Sequence, residues 1–153
     1  MKVRPATRAD ATCMSRVLEE IKKATGRRRA SDPSFVLAQY LEHPDRIECS
    51  VAVDEDDHVM GFQSLRRATE ANPYGVQVGW GIIGTHVSPR AARRGVGAAL
   101  FEASLKPARN AGLPMIDATI GEDNDAGLAY YEAMGFRTYR MMDGASCKAF
   151  RIK

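Results

Sequence analysis

Val87-Ser88-Pro89-Arg90-Ala91-Ala92-Arg93-Arg94-Gly95-Val96-Gly97-Ala98-Ala99-Leu100 runs from an apolar strand end, through a basic glycine-bearing turn, into a helix. A helix start leaves its first N–H groups unpaired and carries partial positive charge. Glycine lets that backbone approach a ligand closely, and Arg93 and Arg94 add fixed charge beside it. The pattern predicts a phosphate or diphosphate site at this helix start. It has neither the Gly-Lys-Ser/Thr of a P-loop nor the third glycine of a dinucleotide fingerprint. The plainer alternative is a helix start whose glycines only relieve crowding. A second group lies downstream. Asn124 opens a helix, where Asn is a good cap. The adjacent Tyr130 and Tyr131 must point to different faces of that helix, so one can pack in the core while the other reaches a cleft.

The elements that hold these residues follow from spacing. Val3 to Ala6 reads as a strand. Thr7 and Asp10 form a capping box, and Met14, Val17, Leu18 and Ile21 recur at helical spacing up to a stop at Gly26. Asp32-Pro33 starts a second helix running to about Glu42. Glu48–Val53 and Val59–Leu65 form a hairpin around an acidic turn. Val76 to Val87 reads as β-rich, with Gly79, Gly81 and Gly84 suggesting a bulge or close backbone approach. A helix follows from Gly95 to about Ala111, with Pro107 expected to kink it or end it early. Then come a strand (Pro114–Ile120), a helix (Ala126–Met134) and two strands around Asp143-Gly144. The order β-α-α-β-β-β-α-β-α-β-β predicts a mixed α/β (α+β) sheet, antiparallel first with one βαβ unit after.

The 153 residues predict a single domain spanning 1–153, with 44% hydrophobic and 27% charged residues. A net charge of +3, with no aromatics interleaved among the basic residues, argues against a nucleic-acid partner. No run is long enough for a membrane span, and the first residues lack an apolar core of signal-peptide length. Cys13, Cys49 and Cys147 are odd in number and widely spaced, which fits neither a disulfide framework nor a metal site. Reduced thiols in a cytoplasmic protein, with no metal, are the expectation.

Taken together, Val87-Ser88-Pro89, Ala92-Arg93-Arg94-Gly95-Val96-Gly97 and Asn124 with Tyr131-Glu132-Ala133-Met134-Gly135-Phe136 resemble the GCN5-related N-acetyltransferases, or GNAT proteins. The likeness spans nearly the whole chain, in order and with natural spacing. It implies the GNAT fold, a mostly antiparallel sheet splayed at the cofactor site, with acetyl-CoA as cosubstrate. It further implies direct attack of a primary amine on the thioester. The acceptor would be a small-molecule amine; the alternatives are a protein N-terminus or lysine, or a non-catalytic acyl-CoA sensor. By the same likeness, Val87, Arg93, Arg94, Gly95, Val96, Gly97, Ala98 and Asn124 hold the cofactor, and Tyr131 is the general acid. A homodimer is the oligomer that family members frequently form. The chain departs from the pattern in three places: Ala92 stands where the family has Gln or Arg, Gly127 where Ala is common, and Trp80–His86 carries no carboxylate. His86 is therefore the first candidate for the base, with Glu122 and Asp123 next. The acceptor site is expected from the two N-terminal helices, the loop between them and the Asn72–Gly75 loop; Arg27-Arg28-Arg29 in that interhelical loop either attracts an acidic group of the acceptor or, the plainer reading, is a solvated basic loop.

Overall fold

The computed structural model describes residues 1–153. Seven strands form one sheet: β1 (Lys2–Pro5), β2 (Arg46–Val53), β3 (Val59–Arg67), β4 (Gly81–Val87), β5 (Met115–Gly121), β6 (Arg137–Met142) and β7 (Ala145–Arg151). Their spatial order is β1-β2-β3-β4-β5-β7-β6. Every neighbouring pair is antiparallel except β4 and β5, which are parallel and joined through a helix. The mixed sheet and the element order agree with the sequence expectation. No helix is long and apolar enough to cross a membrane.

Four helices cover the two faces: α1 (Ala11–Thr25), α2 (Pro33–Val36), α3 (Val96–Asn110) and α4 (Asp125–Met134). α2 runs on into a π-helical turn, Leu37–Leu41. The Thr7–Asp10 box forms as read, with the Thr7 N–H donating to the Asp10 carboxylate at 2.8 Å. Arg4 grips the same carboxylate with two bonds of 2.9 Å, which ties β1 to the start of α1 and holds the Asp10 pKa below its ordinary value. Met14, Val17 and Leu18 of α1 and Val36 and Tyr40 of the second helical segment pack on Val51 and Phe62. On the opposite face Phe101 of α3 and Tyr131 of α4 pack on Leu65, Ile83 and Ile116, with Phe136 between them.

Three local readings need correction. Val76 to Val87 is not one strand; β4 begins only at Gly81. The Asn72 side chain takes the Val76 backbone instead, accepting from its N–H at 2.9 Å and donating to its carbonyl at 2.9 Å, and Gly79 turns the chain at φ +94°. Gly84 is not a bulge. The β3–β4 register is unbroken from Gly61↔Val87 to Arg67↔Gly81. The opening lies on the other edge of β4, which pairs with β5 only at Gly81↔Ile116 and Ile82↔Asp117. α3 passes through Pro107 to Asn110. Pro107 sits in the last turn and forgoes one hydrogen bond there, while burial of Ser104 and Ala108 keeps the helix on the sheet.

Candidate active site

Beyond Ile82 the strands β4 and β5 diverge, which leaves Ile83–Val87 without a partner on that side. A sheet opened this way offers unpaired backbone groups to an extended ligand. At the end of β4 the chain makes a short 3-10 turn, Pro89–Ala91, and then two left-handed residues, Arg93 at φ +64° and Gly95 at φ +76°. Left-handed residues spaced in this way turn successive N–H groups inward as an anion-binding nest. A non-glycine residue there costs of order 1 kcal/mol or more, and such strain concentrates at ligand sites. No side chain caps α3, so its first N–H groups remain free for an anion. Arg90 is committed to Glu20 at 2.6 Å, whereas Arg93 and Arg94 are exposed beside the nest.

Gly97 has a packing reason as well. A Cβ there would lie 2.5 Å from the Tyr130 ring, and the Tyr130 hydroxyl donates to the Gly97 carbonyl at 2.7 Å. Asn124 caps α4, its Oδ1 accepting from the Gly127 N–H at 3.0 Å. A Cβ on Gly127 would sit 2.5 Å from the Asn124 amide, so the side chain in this cap geometry occupies the space that glycine leaves open.

A buried polar chain runs from α3 to α4 across the sheet. Ser104 donates to Gln63 Oε1 at 2.6 Å. Gln63 Nε2 donates to Thr85 Oγ1 at 2.9 Å and to the Tyr130 hydroxyl at 3.1 Å. Thr85 Oγ1 lies 2.8 Å from the Tyr131 hydroxyl and makes no other bond that could use its proton. Either hydroxyl can donate in this bond; with Thr85 donating, which uses its otherwise idle proton, Tyr131 keeps its own proton for another acceptor. Tyr131 is buried, with its ring against Phe136 at 5.1 Å. Burial pushes its phenol well above the usual tyrosine range, and the Thr85 bond partly offsets this. The group keeps its proton at neutral pH.

The opposite face of β4 walls a cavity of about 270 Å³ whose lining includes Arg29, Tyr40, Arg66, Tyr74, His86 and Thr119. Of the segments named from the sequence, the interhelical loop (Arg29), the second helix (Phe35, Tyr40) and the Asn72–Gly75 loop (Tyr74) contribute to its lining, and the first helix does not. Of the three arginines only Arg29 enters. Arg27 lies 4.0 Å from Asp123, and Arg28 is exposed. Arg29 donates to the Tyr40 hydroxyl at 2.7 Å and faces His86 Nδ1 at 3.4 Å. Its Nε is buried with no partner. The lining holds two guanidinium groups and no carboxylate. A larger depression, about 490 Å³ over α1, is lined by charged side chains alone and lies away from these groups.

His86 does not match the base expected from its place on the strand. A guanidinium only donates, so Nδ1 accepts from Arg29 and the ring proton sits on Nε2, 3.4 Å from Tyr40. Burial, with the Arg29 charge second, pulls its pKa down to about 3. With its lone pair facing a cation, the ring stays neutral and has no free basic nitrogen. Glu122 and Asp123 are exposed in the turn after β5. The sequence reading passed over Gln63, Thr85, Tyr40 and Arg66; all but Tyr40 lie on strands, and only their register across β3 and β4 brings them to the opening.

A family model described as the acetyltransferase (GNAT) family matches residues 14–136. Mycothiol acetyltransferase of Renibacterium salmoninarum is 33% identical over 86 residues, which are 56% of this chain and 25% of that protein. The chain thus spans about a quarter of the length of this curated relative. Among solved structures, a GCN5-related N-acetyltransferase from Kribbella flavida superposes with TM-score 0.77 at 21% identity, covering 98% of this chain and 96% of that one. Ribosomal-protein-alanine N-acetyltransferase from Brucella melitensis gives TM-score 0.77 at 19% identity, with 99% of both chains covered. The paia N-acetyltransferase from Thermoplasma acidophilum, in complex with coenzyme A, gives 0.75 at 14%, with 98% of both covered.

Proposed function

The chain belongs to the acetyltransferase (GNAT) family, and we propose that it transfers acetyl from acetyl-CoA to the primary amine of a small molecule that also carries an anionic group. The observation that carries the acceptor class is the cavity wall, with Arg29 and Arg66 present and no carboxylate. A polyamine would meet two like charges there. A small acidic amine, of amino-acid type, would place its anion on the guanidinium groups. A cavity of only about 270 Å³ favours a small molecule over a polypeptide segment.

The residues fit acetyl-CoA. The left-handed Arg93 and Gly95 and the uncapped start of α3 (Val96, Gly97, Ala98) would hold its diphosphate. The free edge of β4 through Val87, with Asn124 at the start of α4, would border its pantetheine arm. When bound, acetyl-CoA supplies a thioester carbonyl open to attack by nitrogen. Tyr131 then gives its proton to the departing sulfur from the α4 face while the amine enters from the face of Arg29 and His86. The two groups act from opposite faces of β4, so neither blocks the other. His86 aligns Tyr40 and Arg29 and stays neutral.

The acceptor class is tested by release of free CoA across a panel of amines. Acidic amines should turn over, and polyamines and N-terminal peptides should not. A preference for polyamines or peptides refutes the acceptor class. Tight acetyl-CoA binding with no release from any amine replaces the enzyme reading with a sensor. The cofactor loop gives a separate expectation. Ala92 leaves it dependent on amides and the Arg93/Arg94 pair, so Arg93→Ala with Arg94→Ala should raise the acetyl-CoA dissociation constant roughly tenfold, more at low salt, in calorimetric titration. An unchanged constant means that the amides alone hold the diphosphate.

A further inference from the structure

A primary ammonium of lysine type has a pKa near ~10.4, so about three orders of magnitude separate its charged and neutral populations at pH 7. Something must take that proton, and His86 is held unable to do so. Two residues past the last β4–β5 pairing, Thr119 of β5 lines the acceptor cavity. Its hydroxyl donates at 2.8 Å to Asp117 Oδ1 on the same strand face. Asp117 is completely buried. The other carboxylate oxygen accepts at 2.5 Å from the Tyr139 hydroxyl, and Tyr139 is 41% exposed on the edge strand β6. A continuous line of hydroxyl, carboxyl and hydroxyl therefore joins the cavity to the exposed edge strand along one face of the sheet. Nothing in the cofactor cradle or the Tyr131 chain uses it.

We propose that Asp117, acting through the Thr119 hydroxyl, takes the proton that the acceptor's ammonium loses before attack. This rests on the amine-acceptor reading above. The ammonium nitrogen gives one proton to Thr119 Oγ1 as the Thr119 proton moves to Asp117 Oδ1. From there it reaches solvent when the Tyr139 hydroxyl turns its own proton out to water and accepts the one that Asp117 carries. The freed nitrogen pair forms the C–N bond, the C–S bond breaks as Tyr131 protonates the sulfur, and the nitrogen's second proton leaves along the same line to solvent, from which Tyr131 regains its own. Asp117 thus positions and charges Thr119, the residue that faces the amine.

The surroundings suit the task. Burial raises the Asp117 pKa above the ordinary carboxylate value, while the bonds from Tyr139 and Thr119 and the charge of Arg140 oppose that rise. The other ionisable groups around the relay are Cys147 of β7, 3.7 Å from Thr119, and Tyr131 of α4. Arg29, Arg66 and His86 lie on the cavity wall. A raised carboxylate is a stronger base than a free one, closer to the working pH. The polarity of the cavity matches an amino-acid-like acceptor, with the anion at Arg29 and Arg66 and the ammonium at Thr119 over Asp117.

The test is the pH profile of kcat/KM for the acceptor, followed by CoA release from pH 6 to pH 10. In the wild type the rate falls on the acid side as Asp117 takes up a proton, at a pH above that of an ordinary carboxylate. Asp117→Asn and Thr119→Val should each lose tenfold or more at pH 7. The loss should shrink towards the amine's own pKa, where solvent does the deprotonation. Thr119→Ser should retain the wild-type profile. If Asp117→Asn does not fold, Thr119→Val carries the same test with Asp117 intact. A loss that is equal at every pH, or Thr119→Val at wild-type rate, overturns the relay. A wild type that acetylates no amine overturns the amine-acceptor reading itself, and the relay with it.

Discussion

Tyr131→Phe is expected to lower turnover tenfold or more while leaving acetyl-CoA affinity unchanged. The substitution removes one oxygen from a buried ring. The contacts that place that ring, against Tyr130 at 4.8 Å and Phe136 at 5.1 Å, are available to phenylalanine as well. What is lost is the hydroxyl that Thr85 holds at 2.8 Å at the end of the Ser104–Gln63–Thr85 chain, the proposed proton donor. A positioned proton donor typically contributes between about a hundredfold and ten-thousandfold, so tenfold is a floor. The thiolate of the leaving group has a pKa near ~8.5. An acetyl thioester of a more acidic thiol departs without help, so it should restore much of the variant's rate relative to wild type. Steady-state turnover with both thioesters, beside calorimetric titration of acetyl-CoA, separates the outcomes. Unchanged turnover removes Tyr131 from the chemistry.

Arg29→Met is expected to lower kcat/KM for an acidic amine by roughly thirtyfold, mainly through KM. Arg29 already donates to Tyr40 and faces His86, and its Nε is buried without a partner, a donor left for an anion. A charge-assisted hydrogen bond is worth about 2 kcal/mol, and 1.4 kcal/mol is tenfold. Methionine keeps the length of the apolar stem and removes the fork. The decisive comparison is the same amine without its acid group. The wild type should handle it poorly, and the Arg29→Met penalty on it should nearly vanish, as in a double-mutant cycle. Equal penalties on both amines would mean that Arg29 serves only to hold Tyr40 and His86. Removing the Arg29 charge should also let the His86 pKa rise, visible as a shifted imidazole titration.

Much of the fold was legible because it is local. The Thr7–Asp10 box, the Gly26 stop at φ +72° and the Gly135 stop at φ +102° are decided by residues within one turn. The misreadings share one cause. Val76–Trp80 has strand-forming residues, but the Asn72 side chain satisfies the Val76 backbone from four residues away. Pro107 breaks a helix in isolation, whereas here α3 is held by the sheet under it. Gly84 looked like a bulge, yet the opening of the sheet comes from how far β5 runs beside β4. That distance depends on two strands, so neither strand alone carries it.

The site divides the same way. By itself the chain determined the basic glycine-bearing turn before α3, the cap at Asn124 and the adjacent tyrosines, since each is written in consecutive residues whose backbone geometry follows from their own side chains. Asp117 left a signal as well. A carboxylate and a hydroxyl two residues apart in Met115-Ile116-Asp117-Ala118-Thr119-Ile120 must share one face of a strand. Whether that face met water or a cavity could not be read from the strand. Only the tertiary structure decided that Arg29 turns inward and Arg28 outward, that Thr85 reaches Tyr131 across 46 positions, and that His86 is kept neutral by burial, with Arg29 facing it from 57 positions away. Protonation states are set by burial and by neighbouring charges through space. Those neighbours come together only when the sheet forms.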